Sequence, residues 1–131
     1  MAKKKILLIE DEAELSRAIK IRLEAAGFDT ISAGDGEKGL EMAHKERPDL
    51  IVLDLILPNM SGFDVCRKLK IDKEYKDIPI IVLTAKFQPN DIRFGIAMGA
   101  DAYITKPYES QELFTKIREF LKEKQESDGS A

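Results

Sequence analysis

Three apolar runs cross the chain without a polar interruption: Ile6 to Ile9, Leu50 to Leu53 and Ile80 to Leu83. A run without alternation has no side suited to water, so these segments are predicted as strands buried on both faces, as inside a parallel sheet. Phe28 to Ala33 and Ala100 to Thr105 mix β-branched and aromatic residues with polar ones, which suits edge strands. Between these runs apolar positions return with a 3.6-residue period over Glu12 to Ala26, Asp35 to Lys45, Ser61 to Lys70, Asn90 to Met98 and Glu109 to Lys124, predicting five helices. Gly27 and Gly99 stand where a left-handed residue ends a helix, and Asp35 and Ser61 where a side-chain oxygen caps one. Alternating strands and helices predict an α/β fold, a doubly wound parallel sheet with helices on both faces.

Composition narrows the function classes. A chain of 131 residues, 44 % of them hydrophobic, suits one domain with its own core, expected over 1–122. Residues 123–131 carry no apolar anchor before the final Ala and are expected to be a flexible tail or the start of a linker. Cys66 is the single cysteine, so no intrachain disulfide forms and a cytoplasmic location is expected. The basic start, Met1 to Lys5, is followed by only four apolar residues before Glu10, too few for a signal peptide or a membrane span. With 21 basic and 24 acidic residues, the net charge of −3 argues against direct nucleic-acid binding.

In open α/β sheets ligands bind beyond the carboxyl ends of the strands. There the chain places Glu10-Asp11-Glu12, Asp54, Thr84-Ala85 and Thr105-Lys106-Pro107. Glu10, Asp11 and Asp54 converging in one pocket would repel one another unless a cation offset them, and an oxygen-only donor set favours Mg²⁺, with Mn²⁺ possible, over zinc. The Thr84 hydroxyl and the Lys106 ammonium complement a phosphoryl group, which makes Asp54 a candidate nucleophile forming an acyl phosphate. Singly, each residue has a plainer reading, since acids gather at strand ends near helix N-termini. Jointly, the set favours the pocket.

The stretches Ile6-Leu-Leu-Ile-Glu-Asp-Glu12, Pro48-Asp-Leu-Ile-Val-Leu-Asp54, Leu57-Pro-Asn-Met-Ser-Gly62, Ile78-Pro-Ile-Ile-Val-Leu-Thr-Ala85 and Gly99-Ala-Asp-Ala-Tyr-Ile-Thr-Lys-Pro107 resemble the receiver domain of bacterial two-component response regulators. The resemblance runs from Lys4 to about Leu121. It implies a flavodoxin-like sheet of strand order 2-1-3-4-5, Asp54 as phosphoacceptor, and Mg²⁺ held by Glu10, Asp11, Asp54 and the backbone carbonyl of Ile56. It also implies that Lys106 contacts the phosphoryl group ahead of a cis bond to Pro107, while Thr84 swings toward the phosphoryl oxygens and Tyr103 moves inward. Such a chain is a signalling module, catalysing only its own phosphorylation and dephosphorylation. Its phosphoryl donor is a sensor histidine kinase or a histidine phosphotransfer protein, and it controls an output protein or domain that the sequence does not identify.

Other motifs are weaker. Gly34-Asp-Gly-Glu-Lys-Gly39 spells a dinucleotide fingerprint, but it follows the second strand and carries acids where a pyrophosphate needs neutral donors. Glu10-Asp11-Glu12 argues against an FMN phosphate site, and Ile56 stands where a haloacid dehalogenase-type phosphatase needs a second acid. His44 is expected to be solvated at a helix end and Cys66 to be a small core or boundary residue.

Leu15, Ala18 and Ile21 are expected to dock the phosphoryl donor, because apolar residues on the first helix spread over more than one stripe. Ile92, Phe94 and Tyr103 are expected to form the output face. Ile92 and Ala102 replace charged residues that pair in the symmetric dimers of winged-helix relatives, so a monomer is expected. With the longer segment Lys70 to Asp77, this favours a stand-alone or relay receiver. Ile56 brings no polar group to orient water, which predicts a long-lived acyl phosphate, and Lys86 is expected to shield it.

Overall fold

A computed structural model describes residues 3–121. Five strands, β1 (Lys5–Ile9), β2 (Asp29–Ala33), β3 (Leu50–Leu53), β4 (Ile80–Thr84) and β5 (Ala102–Thr105), alternate with five helices, α1 (Ala13–Ala25), α2 (Gly36–Glu46), α3 (Gly62–Lys70), α4 (Pro89–Ala97) and α5 (Ser110–Leu121). All strand pairs are parallel, in the order β2-β1-β3-β4-β5. The order matches the resemblance, and the strands expected at the edges are the edges. Every residue of β3 and β4 is buried, whereas β2 and β5 alternate or expose part of their length.

Successive side chains of a strand point to opposite faces, so two cores form. Ile6, Leu8, Val52, Ile81 and Leu83 pack with Ile19 and Leu23 of α1 and Leu113, Ile117 and Leu121 of α5. On the other face Leu7, Ile9, Ile51, Leu53 and Val82 pack with Ala43 of α2 and Val65, Cys66 and Leu69 of α3. Cys66 is therefore a core residue, and burial pushes its thiol pKa up to about 11. His44 lies exposed in the last turn of α2 against the Tyr75 ring, 4.6 Å between centroids. Tyr75 is buried and donates to the His44 carbonyl, pinning the 71–77 segment to α2.

The punctuation matches its expected chemistry. Asp35 accepts from the Lys38 N–H at 2.7 Å and Ser61 from the Asp64 N–H at 3.2 Å, while Gly27 and Gly99 have φ of 100° and 112°. The boundaries differ by small amounts. Helix α4 opens at Pro89, whose missing N–H costs nothing in a first turn. Phe28 gives its N–H to Leu23, so β2 begins one residue later. The expected end of α5 at Lys124 and the 123–131 tail lie outside the described residues. Among the described residues, no helix is long and apolar enough to cross a membrane.

Candidate functional site

The parallel register sets the strand ends side by side. Ile9 pairs with Leu53 and Thr84 with Thr105, so Glu10, Asp54, Thr84 and Lys106 emerge together at the carboxyl edge. Glu10, Asp54 and Thr84 are buried, and Asp11 is exposed at the rim. Oxygens of Glu10, Asp11 and Asp54 all lie within 4.8 Å of one another.

Lys106 answers this negative charge. Its Nζ lies 2.9 Å from Glu10 Oε1, 3.0 Å from Asp54 Oδ2 and 3.5 Å from Glu12 Oε1. The peptide bond after it, to Pro107, is cis. Burial alone would lower the Lys106 pKa, but hydrogen bonds to Glu10 and Asp54 outweigh it and push it up to about 12. Burial raises the Glu10 pKa, although Lys106 and the Glu12 N–H hold the anion in place. The second Asp54 oxygen accepts from the Ile56 N–H at 3.1 Å. The clustered carboxylates of Glu10, Asp11 and Asp54, with the Lys106 ammonium against Glu10 and Asp54, leave an excess of negative charge in an oxygen-only donor set, which fits a hard divalent cation such as Mg²⁺.

The β4–α4 loop closes another side. The Thr84 hydroxyl faces the Lys86 N–H at 3.5 Å, and Tyr103 donates from its hydroxyl to the Lys86 carbonyl at 2.8 Å. Tyr103 thus lies inward, its ring seated against Gly95, where an added Cβ would stand 2.9 Å from the ring. Burial, with Asp91 and Asp54 nearby, raises its pKa to about 12. The Lys86 ammonium pairs with Asp91 at 3.7 Å.

The residues expected to dock partners divide. Ala18 and Ile21 are exposed, Ile21 at 59 %, whereas Leu15 is half-buried against the core. A cleft of about 530 Å³ beside the carboxylates is lined by Glu10, Asp11, Ser16, Arg17, Lys20 and Ile21, among others. Ile92 is half-buried, and half-exposed Phe94 meets Phe63 of α3 edge to face at 4.8 Å. Two features escaped the sequence reading. Glu12 reaches Lys106, for which the run Glu10-Asp11-Glu12 was the signal. Asn59, at φ 71°, bonds Asp35, and an Asn in a turn was the only hint.

A family model described as the response regulator receiver domain matches residues 6–118. The chain is 44 % identical over 122 residues to a probable transcriptional regulator ycf27 of Porphyridium aerugineum, covering 93 % of this chain and 50 % of that protein. It is 43 % identical over 118 residues to the DNA-binding dual master transcriptional regulator RpaA of Synechocystis, covering 90 % of this chain and 49 % of that one. The chain spans about half the length of these curated relatives. Among solved structures, a CheY-like response regulator receiver domain protein from Methanospirillum hungatei superposes with a TM-score of 0.87 at 29 % identity, covering 96 % of this chain and 99 % of that one.

Proposed function

The chain belongs to the response regulator receiver domain family, and on that premise we propose that it is a signalling switch set by phosphorylation of Asp54. The observation that supports this reading is the state of the Asp54 carboxylate: buried at the end of β3, one oxygen against Lys106 Nζ, the other against the Ile56 N–H. A carboxylate so oriented is positioned to attack phosphorus. The new P–O bond forms as the P–N bond to a donor histidine breaks, and the leaving imidazole keeps the electron pair and takes a proton from water. Lys106 neutralises charge on the transferred oxygens, and the Thr84 hydroxyl supplies a donor to one of them. Glu10, Asp11, Asp54 and the Ile56 carbonyl would hold Mg²⁺, which would supply further charge neutralisation.

The donor, a sensor histidine kinase or histidine phosphotransfer protein, docks on α1 beside the pocket, where Ala18 and Ile21 are exposed. The output partner reads the Tyr103, Ile92 and Phe94 face, and the relatives named as DNA-binding or transcriptional regulators favour a DNA-binding output over a stand-alone or relay role. Asp101 is spent internally, on Lys70 and the Ile80 N–H, which supports a monomer with no ion-pair ladder on that face. The exposed Ile56 side chain has no group to orient water, so the acyl phosphate is long-lived. Operation in the cytoplasm accords with the single, buried thiol.

Incubation with Mg²⁺ and a small acyl-phosphate donor should add the mass of one phosphate to the intact protein, and Asp54→Asn should add none. Stoichiometric uptake by Asp54→Asn would overturn the assignment.

A further inference from the structure

The segment Gly34-Asp-Gly-Glu-Lys-Gly39 has the spacing of a dinucleotide loop, yet Gly36 and Gly39 have packing roles instead. A Cβ on Gly36 would stand 1.9 Å from the Met60 carbonyl oxygen, and one on Gly39 would stand 2.6 Å from the Ile9 side chain. Gly36 also donates its N–H to the Pro58 carbonyl at 3.2 Å. The start of α2 therefore lies backbone to backbone against the loop joining β3 to α3. Asp35 closes the contact with both oxygens: Oδ1 caps α2 through Lys38 N, and Oδ2 accepts from Asn59 Nδ2 at 3.1 Å.

That loop carries Ile56. At its near end Gly62 donates to the Leu55 carbonyl, and a Cβ on Gly62 would stand 2.1 Å from the Asp54 carbonyl oxygen. At its tip Asn59 holds a left-handed φ of 71°, and the Met60 N–H bonds the Pro58 carbonyl. Between these anchors the Ile56 N–H orients the Asp54 carboxylate. A shift at the tip has few residues in which to be absorbed before it reaches Ile56.

We propose that the start of α2, at Asp35 and Gly36, is a seat for the β3–α3 loop, and that Asp35 and Asn59 are positioning residues that set Mg²⁺ affinity at the carboxylate pocket without touching the metal. The inference rests on the reading that the pocket takes Mg²⁺ with the Ile56 carbonyl as a ligand. Partners that orient ligands typically change metal affinity by 10–100-fold, so the clamp should sit near the lower figure.

The substitutions separate capping from bridging. Asp35→Ser keeps a capping oxygen but is too short to reach Asn59. Asp35→Asn keeps both contacts once the Asn59 amide turns over. Asn59→Gly removes the amide while favouring the left-handed backbone. Mg²⁺ affinity is read by titration calorimetry, with helix content and melting temperature measured in metal-free buffer. The expected result is roughly tenfold weaker Mg²⁺ binding in Asp35→Ser and in Asn59→Gly, a double variant no weaker than either, recovery in Asp35→Asn, and nearly unchanged metal-free melting. Wild-type affinity in both single variants would overturn the proposal, as would multiplying losses in the double, or losses that track a fall in helix content. Absence of wild-type Mg²⁺ binding would instead overturn the reading of the pocket, and this inference with it.

Discussion

The two ends of the sheet both carry acids, but they treat them differently. At the amino end Asp49 accepts from the Lys5 N–H at 2.7 Å, and Lys5 Nζ pairs with Glu46 at 3.0 Å. Asp101 accepts from the Ile80 N–H at 2.8 Å and pairs with Lys70 Nζ at 2.8 Å. Each of these carboxylates has its own cation or its own strand-opening N–H, at positions partly open to water. At the carboxyl end Glu10 and Asp54 are buried, share one lysine, and have Asp11 and Glu12 beside them. Balanced charge ties neighbouring strands and adds to the frame. Unbalanced charge is held in place by that frame, and the proposed cation and phosphoryl group would draw on it.

Lys106→Met should break the comparison most severely. Phosphoryl uptake should fall by roughly 100-fold or more, the usual effect of removing one electrostatic stabiliser. Chemical denaturation without Mg²⁺ should show a loss of about 3–5 kcal/mol, because two buried carboxylates lose their partner. Asp101→Ala is the counterpart at the other end. It strips the buried Ile80 N–H of its side-chain acceptor and Lys70 of its counter-ion, so stability should fall by about 1–3 kcal/mol while the phosphorylation rate stays within twofold of wild type. Asp54→Asn should do the reverse. Metal-free stability should rise by about 1 kcal/mol as repulsion with Glu10 is relieved, and phosphorylation should vanish.

The smallest effect is set by pH. The Lys106 pKa is raised in the fold from 10.5 to about 12, so the folded state holds this proton more tightly than the unfolded chain does. Its contribution is fully present below about pH 10.5 and is lost as pH rises through about 12. Denaturation curves of Lys106→Met should lack that part of the alkaline decline, and an identical decline in both proteins would place its origin elsewhere.

The site was more legible in sequence than what holds it. Glu10, Asp54 and Lys106 each end or directly follow a strand segment, so the rule that ligands sit at carboxyl ends located them before any packing was known. The apolar periods also located both cores, although the strand order came from resemblance, since periodicity carries no information on neighbours. Asn59 meets Asp35 across 24 positions, and Lys70 meets Asp101 across 31. No local pattern encodes such pairs. The same limit divided the docking residues: the spread of apolar positions on α1 predicted exposed surface, but packing assigned Leu15 to the core side and Ile21 to water.

Melting temperature against Mg²⁺ concentration at neutral pH tests most directly whether the carboxyl end is a charge-imbalanced receptor on a balanced frame. Wild type should gain about 2.7 kcal/mol of stability at a hundredfold excess over its dissociation constant. Asp101→Ala, though less stable, should gain the same, and Asp54→Asn should gain almost nothing. A wild type indifferent to Mg²⁺, or an Asp54→Asn variant that gains as much as wild type, would contradict the account.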